Sequence, residues 1–132
     1  MNVLFVIDRL ELKYFEFNNL VTNFWIIKGL LSRGCNVSIT TIDMLKLKSS
    51  IAYTSCYKSY LENGNIFFDK DSLSEEKIEN FHLVMFRADP PVDMDYINAT
   101  YIFDFVDRSK TLVMNDTTAI RNFNEKLHSV LF

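Results

Sequence analysis

Five consecutive apolar residues, Val3-Leu4-Phe5-Val6-Ile7, constrain this chain more than any other feature. The run mixes β-branched and aromatic side chains without polar alternation, so it reads as a strand covered on both faces. A strand of that kind needs a layer of structure above and below it. It ends at Asp8. Further on, Leu20, Phe24, Ile27, Leu30 and Leu31 recur at helical spacing and stop at Arg33-Gly34, where Gly34 suits a helix C-terminal cap. Val37 to Ile42 is again β-branched, which completes a β-α-β unit with its two strands parallel and a right-handed crossover.

The later segments continue the alternation. Ile51 to Phe68 predicts a hairpin-like excursion on the sheet's edge, turning at Glu62-Asn63-Gly64-Asn65. Ser72 or Ser74 is placed to cap a short acidic helix running through Asn80, with Glu75 and Glu76 at its positive end. A strand is expected at His82 to Arg87, a helix at Asp93 to Val106, a strand at Thr111 to Met114 and a last helix opened by Asn124-Glu125-Lys126. The expected fold class is α/β: three layers, a mostly parallel sheet flanked by helices, and an edge hairpin.

Length and composition narrow the function classes. The 132 residues make one domain, long enough for a core and too short for a two-lobed enzyme with a cleft between lobes. A net charge of −3 with scattered Lys and Arg offers no broad basic surface, so a nucleic-acid partner is not expected. The apolar stretch from Phe24 to Leu31 is interrupted by Lys28 and falls far short of the roughly 20 residues of a membrane span, so no membrane partner is expected either. Cys35 and Cys56 lack CxxC spacing, and Asp8-Arg9 breaks any signal-peptide pattern, which makes a reducing cytoplasm the simplest location.

In a mostly parallel sheet, ligands gather beyond the carboxyl ends of the strands. Three loops begin there, at Asp8, at Arg87 and at Asn115. Arg87-Ala88-Asp89-Pro90-Pro91-Val92-Asp93 is the most polar and the stiffest, because each Pro fixes its own φ and restricts the residue before it. Two readings of Arg87 stand side by side: a two-pronged clamp on a ligand carboxylate, or an internal salt bridge to Asp89 or Asp93. Asp93 also suits a helix N-cap. His82 and His128 have no metal-ligand spacing, and neither cysteine has an evident base, so buried or inert thiols are expected. Tyr53, Tyr57, Tyr60, Phe67 and Phe68 form an aromatic group suited to packing or to contact with a partner subunit.

The ordered combination of Arg87-x-Asp89-Pro90-Pro91, Asp93, Ala99-Thr100-Tyr101, Thr111-Leu112-Val113, Asn115, Arg121 and Asn124-Glu125-Lys126-Leu127 resembles the prokaryotic glutathione synthetases of the ATP-grasp superfamily. The resemblance covers the last 50 residues most closely. It implies a Rossmann-like pre-ATP-grasp domain over residues 1–122, with 123–132 as the truncated start of an ATP-grasp region. The chain departs from the family pattern where Arg9 follows Ile7-Asp8, at Lys28-Gly29 before Ser32-Arg33-Gly34, and at Thr117, where a proline is usual. These departures suggest a divergent member with the same fold.

By that resemblance the complete enzyme uses ATP and Mg2+ to join γ-glutamylcysteine and glycine. Asp8, Arg87, Asp89 and Asp93 would line the dipeptide site, Lys126 would meet the nucleotide's phosphates, and no catalytic or metal-binding residue falls within this chain. No cofactor is expected to bind tightly to the chain alone, which would be inactive without its missing ATP-grasp domain. A homo-oligomer contact is also implied. The alternatives are a free-standing binding or assembly module with the same fold, and the first domain of another ATP-grasp peptide ligase.

Overall fold

A computed structural model describes residues 1–8, 22–87 and 94–114. The first strand, β1 (Asn2–Ile7), is the centre of the molecule: Val3, Leu4, Phe5, Val6 and Ile7 are all 0% exposed. Side chains of a strand alternate between faces, so β1 feeds two separate cores. Val3, Phe5 and Ile7 join Phe24 and Ile27 of helix α1 (Thr22–Ser32), while Leu4 and Val6 join Ala99 of helix α2 (Met94–Ile102) and the neighbouring Phe103. The expected three layers are present, one helix to each face.

Parallel neighbours lie on both edges of β1. Strand β2 (Asn36–Thr41) pairs from Asn2↔Asn36 to Ile7↔Thr41, and β7 (Leu83–Phe86) pairs from Val3↔Leu83 to Val6↔Phe86. Strand β8 (Leu112–Met114) adds to β7, also parallel. The first crossover closes on a Schellman turn: Cys35 N–H donates to Leu30 O and Gly34 N–H to Leu31 O, with Gly34 at φ +83°. The cap expected at Gly34 is therefore present.

The other strands gather on β4 (Ile51–Glu62), whose 12 residues pair antiparallel with four partners. Its first half meets β3 (Leu45–Lys48) and β6 (Ser74–Lys77); its second half meets β2 and then β5 (Asn65–Phe68). The eight strands run in the order β3-β4-β2-β1-β7-β8, with β5 and β6 attached to β4. Curling follows from this double role, because Ala52 and Cys56 of β4 pack into the α2-side core while Ile66, across the hairpin, packs into the α1-side core.

The β4-β5 hairpin turns at Asn63-Gly64, both at positive φ (52° and 78°), as that dipeptide predicts. A second tight turn, Ser49-Ser50, also has positive φ at both residues (51° and 63°) and joins β3 to β4. Where β2 gives way to a 3₁₀ turn at Ile42–Met44, buried threonines replace the ladder: the Thr40 and Thr54 hydroxyls lie 2.7 Å apart, and Thr40 Oγ1 donates to Ser55 O at 2.8 Å. Among the described residues no buried side-chain nitrogen or oxygen lacks a partner.

Two expectations are corrected. The acidic helix from Ser72 or Ser74 to Asn80 does not form: Ser74–Lys77 is strand β6, preceded by a 3₁₀ turn at Lys70–Ser72 and followed by another at Ile78–Asn80. An isolated helix so short gains too few hydrogen bonds to offset nucleation, whereas β6 gains a ladder with Tyr53 to Cys56 and a Lys48–Glu75 ion pair. That ion pair's hydrogen bond also lowers the Glu75 pKa. The helix expected through Val106 gives way to 3₁₀ geometry at Phe103–Phe105, which lets the Phe103 ring meet Phe86 edge-on at 5.4 Å. The last helix, expected to open at Asn124-Glu125-Lys126, lies outside the described residues.

Gly29 sits inside α1, and a Cβ added there would meet nothing within 4 Å. Gly29→Ala is therefore expected to stabilise the domain by about 0.5–1 kcal/mol, read as a higher urea midpoint at unchanged m-value.

Candidate functional site

The carboxyl ends of β1 and β7 are adjacent, and the β1-β7 register sets what meets there. Val6 pairs with Phe86, so Arg87 emerges one residue past the ladder and Asp8 one residue past β1. The Arg87 backbone N–H still donates to Val6 O at 2.8 Å, which fixes its Cα at the strand end. Both Asp8 and Arg87 are half-buried. Alternation along β7 puts Val84 and Phe86 in the α2-side core and Leu83 and Met85 against the α1-side core, so Arg87 leaves the strand toward α1.

There its side chain meets Asn23. The Arg87 Nε–H donates to Asn23 Oδ1 at 2.9 Å, and Asn23 is only 6% exposed although it is polar and sits in the first turn of α1. Neither reading of Arg87 anticipates this neutral partner; Asp89 and Asp93, the partners of the expected salt bridge, lie outside the described residues. Asn23 was not singled out from sequence. Its one signal is a polar side chain immediately before Phe24, at the start of an apolar helical stripe.

Both described helices begin at this edge, since each follows the carboxyl end of a parallel strand. The positive ends of their dipoles favour negative charge, and together with Arg87 they make the edge suited to a carboxylate. Lys126 and the loop at Asn115 lie outside the described residues. Among the described residues no group of three or more His, Cys, Asp or Glu side chains comes together that could hold a metal ion. The three glycines lie within α1, at its end and in the β4-β5 turn, so the sequence has no Gly-rich phosphate cradle at this edge.

A polar groove of about 360 Å³ opens at the opposite, amino edge, between Asn2, Asn36, Ser38, Lys58 and Glu76. It is lined also by Leu31 and Cys35, at the negative end of α1, where the helix dipole works against a bound carboxylate. The carboxyl edge is the better candidate for an anionic ligand.

The remaining sequence candidates have structural roles. His82 Nδ1 accepts the Asn2 backbone N–H at 2.9 Å, which ties β1 to the entry of β7. The aromatic residues pair across the hairpin, Tyr57 with Phe68 at 5.3 Å and Tyr60 stacked on Phe67 at 5.6 Å. Cys56 is buried, and burial, aided by Glu76, pushes its thiol up from 9.0 to about 11 against the opposing effects of Ser38 and Lys58. Cys56 is thus buried as expected, while Cys35 is half-buried. Among the described residues no helix is long and apolar enough to cross a membrane.

The comparisons with known proteins point to one family. Residues 1–121 match the family described as "Prokaryotic glutathione synthetase, N-terminal domain". The chain belongs to that family. Among its relatives, the glutathione synthetase of Thermosynechococcus vestitus is 38% identical over 121 residues, covering 84% of this chain and 38% of the relative. The Nostoc enzyme is 39% identical over 66 residues, 50% of this chain and 20% of that protein. The Bordetella pertussis enzyme is 28% identical over 134 residues, 96% of this chain and 41% of the relative. The chain thus spans about two-fifths or less of the length of these glutathione synthetases.

Cys56 couples the core to alkaline pH. A raised folded-state pKa stabilises the protein below the unfolded value, and that contribution is lost as pH rises from 9 toward about 11. Unfolding free energies measured across pH 8 to 11 are expected to fall in that window for the native chain, with a shallower slope for Cys56→Ala.

Proposed function

We propose that this synthetase domain forms one wall of the dipeptide site of an ATP-dependent carbon–nitrogen ligase that joins γ-glutamylcysteine to glycine. The observation that carries the reading is Arg87, fixed at the carboxyl end of a central parallel strand in a chain that matches the family over residues 1–121. A guanidinium there binds a carboxylate of the dipeptide, and Asp8, Asp89 and Asp93 bind or orient its remaining polar groups.

In the reaction, the dipeptide's cysteinyl carboxylate takes the γ-phosphoryl group of ATP, releasing ADP. The amine of glycine then attacks the acyl carbon and phosphate leaves. Such chemistry depends on charge neutralisation by fixed donors and cations, with magnesium supplying part of it. The role of this chain is to bind and orient the dipeptide. Lys126 would meet the nucleotide at the start of an ATP-grasp region from residue 123, after a first domain ending at 122. The enzyme would work in the cytoplasm as a homo-oligomer.

Two measurements test the reading. With ATP, γ-glutamylcysteine and glycine, the purified 132-residue chain is expected to release no ADP, because the relatives it matches are more than twice its length; turnover would overturn the division of labour. Titrated with γ-glutamylcysteine, its amide resonances at Asp8, Asn23 and Arg87 are expected to shift, and Arg87→Ala to weaken binding at least about tenfold, the worth of a charge-assisted hydrogen bond. Unchanged binding would remove Arg87 from the site.

A further inference from the structure

A guanidinium has two edges that can take a carboxylate with paired hydrogen bonds. One edge uses Nε–H with the terminal amino group beside it; the other uses the two terminal amino groups, Nη1 and Nη2. In this domain the first edge is taken, because Arg87 Nε–H donates to Asn23 Oδ1 at 2.9 Å. We infer that Asn23 is a positioning residue, which holds Arg87 by Nε so that a ligand carboxylate is received end-on by Nη1 and Nη2. The inference rests on the reading of Arg87 as the carboxylate-binding group.

Three observations support the role. Arg87 is tied at both ends, its backbone N–H to Val6 O at 2.8 Å and its Nε to Asn23, so little freedom is left to lose on binding. Asn23 is itself 6% exposed in the first turn of α1, so the anchor does not move with solvent. Its side chain is uncharged: it directs the guanidinium without neutralising it, whereas a carboxylate at the same position would compete with the ligand. The partner thus fixes the direction of approach and leaves the positive charge for the substrate.

The test uses γ-glutamylcysteine titrations of the 132-residue chain as wild type, Asn23→Asp and Arg87→Ala, each with its thermal midpoint. Asn23→Asp is expected to melt at or above the wild-type temperature while binding at least about tenfold more weakly, because its carboxylate consumes the Arg87 charge. A merely structural asparagine would move the midpoint and leave affinity alone. If Asn23→Asp bound as wild type while Arg87→Ala lost binding, the positioning role would be wrong and the assignment of Arg87 would stand. If Arg87→Ala bound as wild type, the assignment of Arg87 would itself fall. On wild-type protein, the Arg87 Nε–H is expected to exchange with solvent at least about tenfold more slowly than an unbonded guanidinium proton, since exchange requires the bond to open. Unprotected exchange would overturn the inference whether or not the variants fold.

Discussion

Burial of β1 on both faces is the constraint from which the rest of the structure follows. Because Val3 to Ile7 are wholly enclosed, the chain must supply a helix to each side and a parallel neighbour to each edge. Those four requirements place α1, α2, β2 and β7. They also bring the carboxyl ends of β1 and β7 together, so the packing of an apolar strand decides which polar residues meet where it stops.

The second organising element is β4, which links the parallel centre to an antiparallel extension. Its ladder changes partners midway, and hydroxyls bond across strands at both ends of β2: Thr40 with Thr54 where β2 breaks off, and Ser59 to Val37 O at 2.7 Å near its start. These bonds let the sheet curl without leaving buried polar groups unmatched, which would cost about 1–3 kcal/mol each. On β3, an outer strand of the sheet, Lys46 and Lys48 are exposed, a charged border that discourages pairing with another chain.

Elements governed by local rules were legible in the sequence. The continuous apolar run gave β1, helical spacing gave α1, and Gly34 and Asn63-Gly64 marked their turns because each needs positive φ. Elements governed by distant partners were not. Leu45–Lys48 alternates but turns at Ser49-Ser50, a pair without the usual hairpin signature, and Ser74–Lys77 looked helical because nothing local reveals the ladder waiting on β4. Of the candidate residues, Asp8 and Arg87 lie at the strand ends where the apolar runs stop, whereas Asn23 required three dimensions: it is 64 positions from the arginine it contacts. Asp89, Asp93 and Lys126 remain readings from resemblance.

The topology that encloses β1 also delays its enclosure. Its β2 neighbour is made soon after it, but its other edge waits for β7, and the bond between Asn2 and His82 joins residues 80 positions apart. At a synthesis rate of roughly 5–20 residues per second, the most apolar strand of the domain spends several seconds with one edge open while the chain emerges from the ribosome. During that interval the same five side chains that anchor the finished fold lie on a strand with one edge still unpaired, and every protection that the finished sheet gives them has yet to be built.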